Sequence, residues 1–253
     1  MIKYKVIDQE GYSRKGEPGE TFWLDGVQKI AKGEGNVLCT DNVIHFYDHP
    51  ALAVLFNSIQ AEIENPRMIE IKIDEEVAHD GLKGGCKKAK FTKEIAVPQI
   101  TCEQKVEFAI RISLKLYREQ SYVTWAQDWL TKKDRSAESA EKASKDAGDV
   151  AMAASAAARA VSATARTESP AEKTAAMAES TARAAVMAAS AAERAASAAG
   201  NAAGSDEWIT ANVESAECVA WTAEWVTTNI ESAAKANNLR LLFVETIEDI
   251  LKN

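Results

Sequence analysis

The densest run of side chains able to do chemistry is His45-Phe46-Tyr47-Asp48-His49, with Cys39 shortly before it. Two histidines four apart suit a metal ion when both lie on one helix face. Here Pro50 follows His49, and a residue before proline is pushed out of the helical region. On an extended strand, His45, Tyr47 and His49 would instead share one face, because side chains alternate. That face would line a small pocket, for instance for a nucleotide. Structural or surface histidines are the plainer reading. A metal would need a third ligand that the sequence does not nominate, so no metal and no cofactor is expected.

Glycine-rich turns recur in GEPGE, KGEGN and GLKGGCKK, but none matches a phosphate-binding or dinucleotide-binding spacing. GLKGGCKK reads as a hairpin turn with solvated lysines, able at most to hold one anion. Lys83, Lys87 and Lys88 flank Cys86 and would lower a thiol pKa, yet no histidine is placed by sequence to serve it. No catalytic residue is therefore nominated. A different signal lies near the C-terminus. Glu207, Glu214, Glu217, Trp221, Glu224 and Glu231 fall on one stripe of an expected helix over about 206–236. Residues 205–253 carry nine acids against three bases, whereas 99–204 carry 13 acids against 14 bases. An acidic stripe around a tryptophan suits a basic protein surface: carboxylates steer the encounter and the indole supplies contact area. A solvated helix face with Trp221 packed sideways is the alternative.

The elements that must hold these residues divide near Pro98. The 253 residues carry 30 Lys and Arg against 38 Asp and Glu, a formal charge of -8, which argues against a general nucleic-acid binder. Residues 1–98 hold all three histidines, four of the five prolines and nine of the twelve glycines. Because proline and glycine punctuate turns and break helices, 1–98 is expected to be a small mixed domain and 99–253 a helical one, an α+β fold. Four widely spaced cysteines without a CxxC pair suggest neither a disulfide scaffold nor a zinc knuckle. No stretch is long and apolar enough to span a membrane, the opening residues show no apolar signal-peptide core, and a cytoplasmic setting is expected.

In the first part, alternation predicts strands at 2–8, 68–73 and 88–98, a short strand at 21–26, one or two strands within 36–48, a helix from Pro50 through 63 and a turn at 81–85. In the second, Val106, Ala109, Ile110, Ser113, Leu114 and Tyr117 form the stripe of a helix at about 102–118. Trp125 and Trp129 share a face of a helix at about 121–132. Between 137 and 203, 30 of 67 residues are alanine, the strongest helix former. Ser169-Pro170-Ala171-Glu172 looks like a helix start, so Pro170 would separate two long helices. MAASAAARAVSATA from Met152 and MAASAAERAASAAG from Met187 are near-copies, a duplicated segment. Alanine lets helix axes approach closely and suggests an antiparallel bundle, with Met152, Met177, Met187 and the tryptophans as larger anchors. Asn237 and Asn238 are expected to end the 206–236 helix, followed by a last amphipathic helix at 239–251.

YKVIDQEGYSRKG, GETFW, VLCTDNVIHFYDHP, IEIKID and CKKAKFTKEI resemble, in that order, an uncharacterised domain of phage and prophage proteins. WAQDWLTKKDRSAESAEKA and the alanine-rich run after it are similar to sequences called putative immunity proteins in bacteria and phages. The resemblance implies a phage setting, in which small acidic proteins often block a host machine. The expected function is then non-catalytic binding of a protein partner, as a phage-encoded, anti-CRISPR-like inhibitor of a bacterial defence complex. It would act through a basic surface of that complex, by occlusion, displacement or acidic mimicry of nucleic acid, without direct nucleic-acid or membrane binding. A nucleotide-handling transferase with its pocket at His45, Tyr47 and His49, and a self-assembling component packing copies through alanine helices, are the alternatives.

Overall fold

The computed structural model describes residues 1–16, 20–57, 61, 63–165, 172–204 and 233–252. The fold is α+β, with antiparallel strands near the N-terminus followed by helices. The chain forms two compact units. One is built from Met1–Thr101 together with the last helix, and the other begins at Cys102.

In the first unit, β1 (Ile2–Ile7) and β9 (Lys88–Ile95) flank β6 (Arg67–Ile73), and β4 (Gln28–Ile30) closes a four-stranded antiparallel sheet in the order β1-β6-β9-β4. The alternation at 68–73 works as expected: Ile69, Ile71 and Ile73 join Ile7, Trp23, Phe46 and Cys86 in one buried cluster. Each such aliphatic side chain contributes about 1.5–3 kcal/mol when fully buried. A second sheet has the order β5-β8-β7, from β5 (Ile44–Phe46), β8 (Gly84–Cys86) and β7 (Glu76–His79). The two sheets meet where Tyr4 and Tyr47 exchange backbone hydrogen bonds of 2.9 and 2.8 Å. A two-stranded ribbon pairs β2 (Tyr12–Ser13) with β3 (Thr21–Phe22).

Several expectations need correction. Of the turn expected over 81–85, Gly84 and Gly85 are instead strand. A Cβ at Gly84 would lie 2.3 Å from Cζ of Phe46, and one at Gly85 would lie 2.8 Å from Cγ2 of Val43. The paired glycines therefore let β8 lie flat on these side chains, while Asp80 Oδ1 forms the actual turn by accepting from the amides of Leu82 at 3.0 Å and Lys83 at 2.8 Å. Of 36–48, only Ile44–Phe46 is strand. The loop before it is tied down by Lys87, whose Nζ donates to the carbonyls of Gly33, Gly35 and Asn42. The helix expected from Pro50 to 63 begins as α1 (Pro50–Leu55), with Phe56 as its C-cap, while 58–60 and 62 lie outside the described residues. β4 and β7 have no counterpart in the sequence reading.

The last helix, which we number α6 (Ala233–Lys252), runs through Asn237 and Asn238 without the expected break. It also belongs with the first unit rather than with the helical part, so 99–253 is not one packing unit. Leu239, Phe243, Ile247 and Ile250 are buried at helical spacing, and the Phe243 ring meets Phe56 edge-on at 6.1 Å. Burial of this stripe outweighs the modest helix propensity of two asparagines.

The second unit contains α2 (Cys102–Leu116), α3 (Gln120–Leu130), α4 (Ala137–Ala165) and α5 (Glu172–Gly204). Ser113 and Tyr122 join α2 to α3 through a buried 2.6 Å hydroxyl contact. Gly148 faces Glu193, and Gly200 faces Ala140, so α4 and α5 run antiparallel. Ala140, Ala143, Ala147 and Ala151 are buried on α4, and Ala192, Ala195, Ala196 and Ala199 on α5, consistent with methyl-sized side chains permitting close axes. Trp125 and Trp129 are buried anchors, but Met152 is 65% exposed and anchors nothing. The expected cap at Ser169 and Pro170 lies outside the described residues, as does the side chain of Met177.

Candidate functional site

The first unit holds an open cleft of about 580 Å³, within the range of small-molecule sites. Its wall combines β1, the β2–β3 ribbon, the loop before β5, and the approach to β8. Lys5, Arg14, Lys15 and Lys83 line it with Tyr12, Tyr47, Cys39 and His45. Asp8 and Glu64 are its acidic members.

Each cationic position has a local cause. Lys5 is the second lysine on one face of β1, and the bridge from Tyr4 to Tyr47 places the second sheet against that strand. Its Nζ donates to the His45 carbonyl at 3.0 Å and lies 5.7 Å from the Trp23 ring centroid. Trp23 is fixed in turn, its Nε1 donating to Ser13 Oγ at 2.9 Å. Arg14 follows β2 in the left-handed region, at φ 57°. Lys83 is buried, which corrects the expected solvated turn. Lys15 sits at the rim, paired with Glu10 at 2.5 Å. Asp8 is occupied with shaping the wall, since its Oδ1 accepts from the amides of Glu10 at 3.0 Å and Tyr12 at 2.8 Å.

The electrostatics follow from this arrangement. Burial, then the charges of Lys5, Lys83 and Arg14, push His45 down to about 3, so its imidazole is neutral at pH 7. Cys39 adopts φ 61° and donates its backbone N–H to His45 Nε2 at 2.8 Å, which leaves the imidazole proton on Nδ1. Lys5 is lowered to about 8, chiefly by burial; Cys86 opposes the shift, and Arg14 and Lys83 reinforce it. The smaller part of both shifts, which comes from the neighbouring cations, favours an anion in the cleft.

Comparison with known proteins finds no matching family model, no matching curated protein and no matching solved structure.

Of the pocket residues expected from sequence, His45 and Tyr47 do line the cleft, and His49 does not. His49 is the N-cap of α1, its Nδ1 accepting from the Ala51 amide at 3.2 Å. Burial lowers its pKa, and Glu248 partly opposes this. Cys86 also departs from expectation: burial raises its thiol to about 11 despite Lys5 nearby. Glu207, Glu214, Glu217, Trp221, Glu224 and Glu231 lie outside the described residues. Among the described residues, no group of three or more His, Cys, Asp and Glu side chains could hold a metal ion, and no helix is long and apolar enough to cross a membrane. Sequence reasoning missed Lys5 and Arg14, whereas Lys83 falls in GLKGGCKK, the run read as able to hold one anion.

Proposed function

We propose that the first unit is a receptor for a small phosphorylated ligand of nucleotide type. The observation that carries this reading is the convergence of Lys5, Arg14 and Lys83 on one cleft beside an imidazole held neutral. Tyr12 and Tyr47 add aromatic surface suited to a base or another flat ring. The test is calorimetry of the full chain with ATP, NAD and inorganic pyrophosphate. At least one is expected to bind, and Arg14→Asn is expected to weaken it tenfold or more, in line with about 1.5–3 kcal/mol for a charge-assisted hydrogen bond. Asparagine tolerates the left-handed backbone at this position. If none of the three binds at millimolar concentration, or if Arg14→Asn changes nothing, the reading fails.

A second reading rests on charge segregation in the sequence, where residues 205–253 carry nine acids and three bases. In it the C-terminal acidic stripe binds a basic surface of a host protein complex, as an anti-defence inhibitor would. Changing Glu214, Glu217, Glu224 and Glu231 together to lysine is expected to abolish capture of that partner from host lysate. Capture that persists at moderate salt would remove the acidic stripe from the account.

A further inference from the structure

We propose that Lys5 is a reactive amine that condenses with the carbonyl group of a phosphorylated aldehyde or ketone, the phosphate facing Arg14 and Lys83. This deepens the anion-receptor reading and rests on it. The comparison with Lys3 is the starting point. Both lysines lie on one face of β1, but Lys3 is ion-paired with Asp48 and lies over the Phe46 ring. Lys5 has no carboxylate partner among the described residues; its amine is held by the carbonyl of His45 and the face of Trp23. Burial and two facing cations also weaken its hold on a proton.

The groups facing that amine are Arg14 after β2, His45 from β5, Lys83 before β8 and Cys86 from β8. Burial lowers its proton affinity most; Cys86, the next largest influence, raises it, and Arg14 and Lys83 lower it. With a value of about 8, roughly a quarter of the amine is free at pH 7.5, against about one part in a thousand for an ordinary lysine. Desolvation and neighbouring cations are the two general ways of activating a lysine nucleophile. Here the same cations would also hold the anionic end of the substrate, so recognition and activation share one source.

The step balances without an oxidant or reductant. The nitrogen lone pair attacks the carbonyl carbon, and the C=O π pair moves to oxygen. One proton passes from nitrogen to that oxygen, giving a carbinolamine. The C–O bond then breaks, and the hydroxyl leaves with the second amine proton as water, forming the C=N bond.

The probe is pyridoxal 5′-phosphate, an aromatic aldehyde carrying a phosphate, added to the full chain at micromolar concentration and trapped with sodium borohydride. Peptide mass spectrometry is expected to place the adduct on Lys5, formed at least tenfold faster than on exposed Lys88 or Lys90. The rate should rise with pH through about 8. Pyridoxal without the phosphate should label Lys5 at least tenfold more slowly. Lys5→Arg should abolish the adduct while retaining the circular dichroism of the native chain. Even labelling over the exposed lysines, or equal rates with and without the phosphate, would overturn the proposal. Pyrophosphate binding without a Lys5 adduct would overturn the amine and leave the anion receptor standing. Loss of both would overturn both.

Discussion

Replacing Asp48 with alanine is expected to destabilise the first unit by about 3–5 kcal/mol, the usual consequence of leaving buried charges without their partner. Asp48 lies just before α1, where its carboxylate receives Lys3 from β1 and Arg240 from α6. Arg240 also reaches Glu76 Oε1 on β7 at 2.8 Å. His79 Nε2 stands 3.8 Å from Asp48 Oδ2, and its Nδ1 accepts from the Gly81 amide at 2.7 Å. Three segments far apart in sequence thus meet at one carboxylate that is only 12% exposed. Burial alone would push the Asp48 carboxyl up. Hydrogen bonds from Arg240 and Lys3, with the His79 imidazole nearby, outweigh that and hold it well below the usual carboxylate range. A depressed carboxylate stabilises the fold above its unfolded value of about 3.9, and that stability is lost as the pH falls through and below it. Urea denaturation at pH 7 should therefore separate Asp48→Ala from wild type widely, and the gap should shrink below pH 4. Arg240→Ala should cost less, since Asp48 keeps Lys3, and the double variant should cost less than the two single variants summed. A loss under about 1 kcal/mol for Asp48→Ala would mean the cluster is solvated and screened.

The same cluster explains part of what the sequence hides. Lys3 and Lys5 read as the wet face of an amphipathic strand, because alternation distinguishes two faces and not what covers them. The second sheet covers that face, and it was itself illegible: Gly84-Gly85 has the composition of a turn, and the need for glycine comes from Phe46, some forty positions away in the chain. Local signals fared better where one element carries its own periodicity. Ile69, Ile71 and Ile73 reveal β6, and Val106, Ala109, Ile110 and Ser113 reveal the buried face of α2. His45 and Tyr47 were legible as a shared strand face. His49 was not, although Pro50 carried the information: a proline in the first helical turn makes the residue before it an N-cap. The joining of α6 to the first unit rests on long-range packing and ion pairs that no local pattern encodes.

His45 gives the other large effect, and it acts in a different pH window. Its folded-state value of about 3 lies far below the ordinary histidine value near 6.5. Between the two, the unfolded chain binds more protons than the folded one, so stability falls as the pH drops from 6.5 towards 3. At pH 5 the gap of about 1.5 units corresponds to about 2 kcal/mol, at about 1.36 kcal/mol per unit. Asp48 contributes nothing to the slope at pH 5, since its loss begins only near pH 4. His49 is shifted in the same direction and adds to the slope. His45→Gln is the informative variant, because an amide oxygen can still accept from the Cys39 amide without titrating. Denaturation midpoints of this variant should change less between pH 7 and pH 5 than those of wild type, by the equivalent of about 2 kcal/mol. Bound pyrophosphate should reduce the acid sensitivity of wild type, because an anion beside Lys5, Arg14 and Lys83 offsets the field that keeps His45 unprotonated. Parallel pH profiles for wild type and variant would place His45 in water rather than in the cationic cleft, and the receptor would lose its neutral wall.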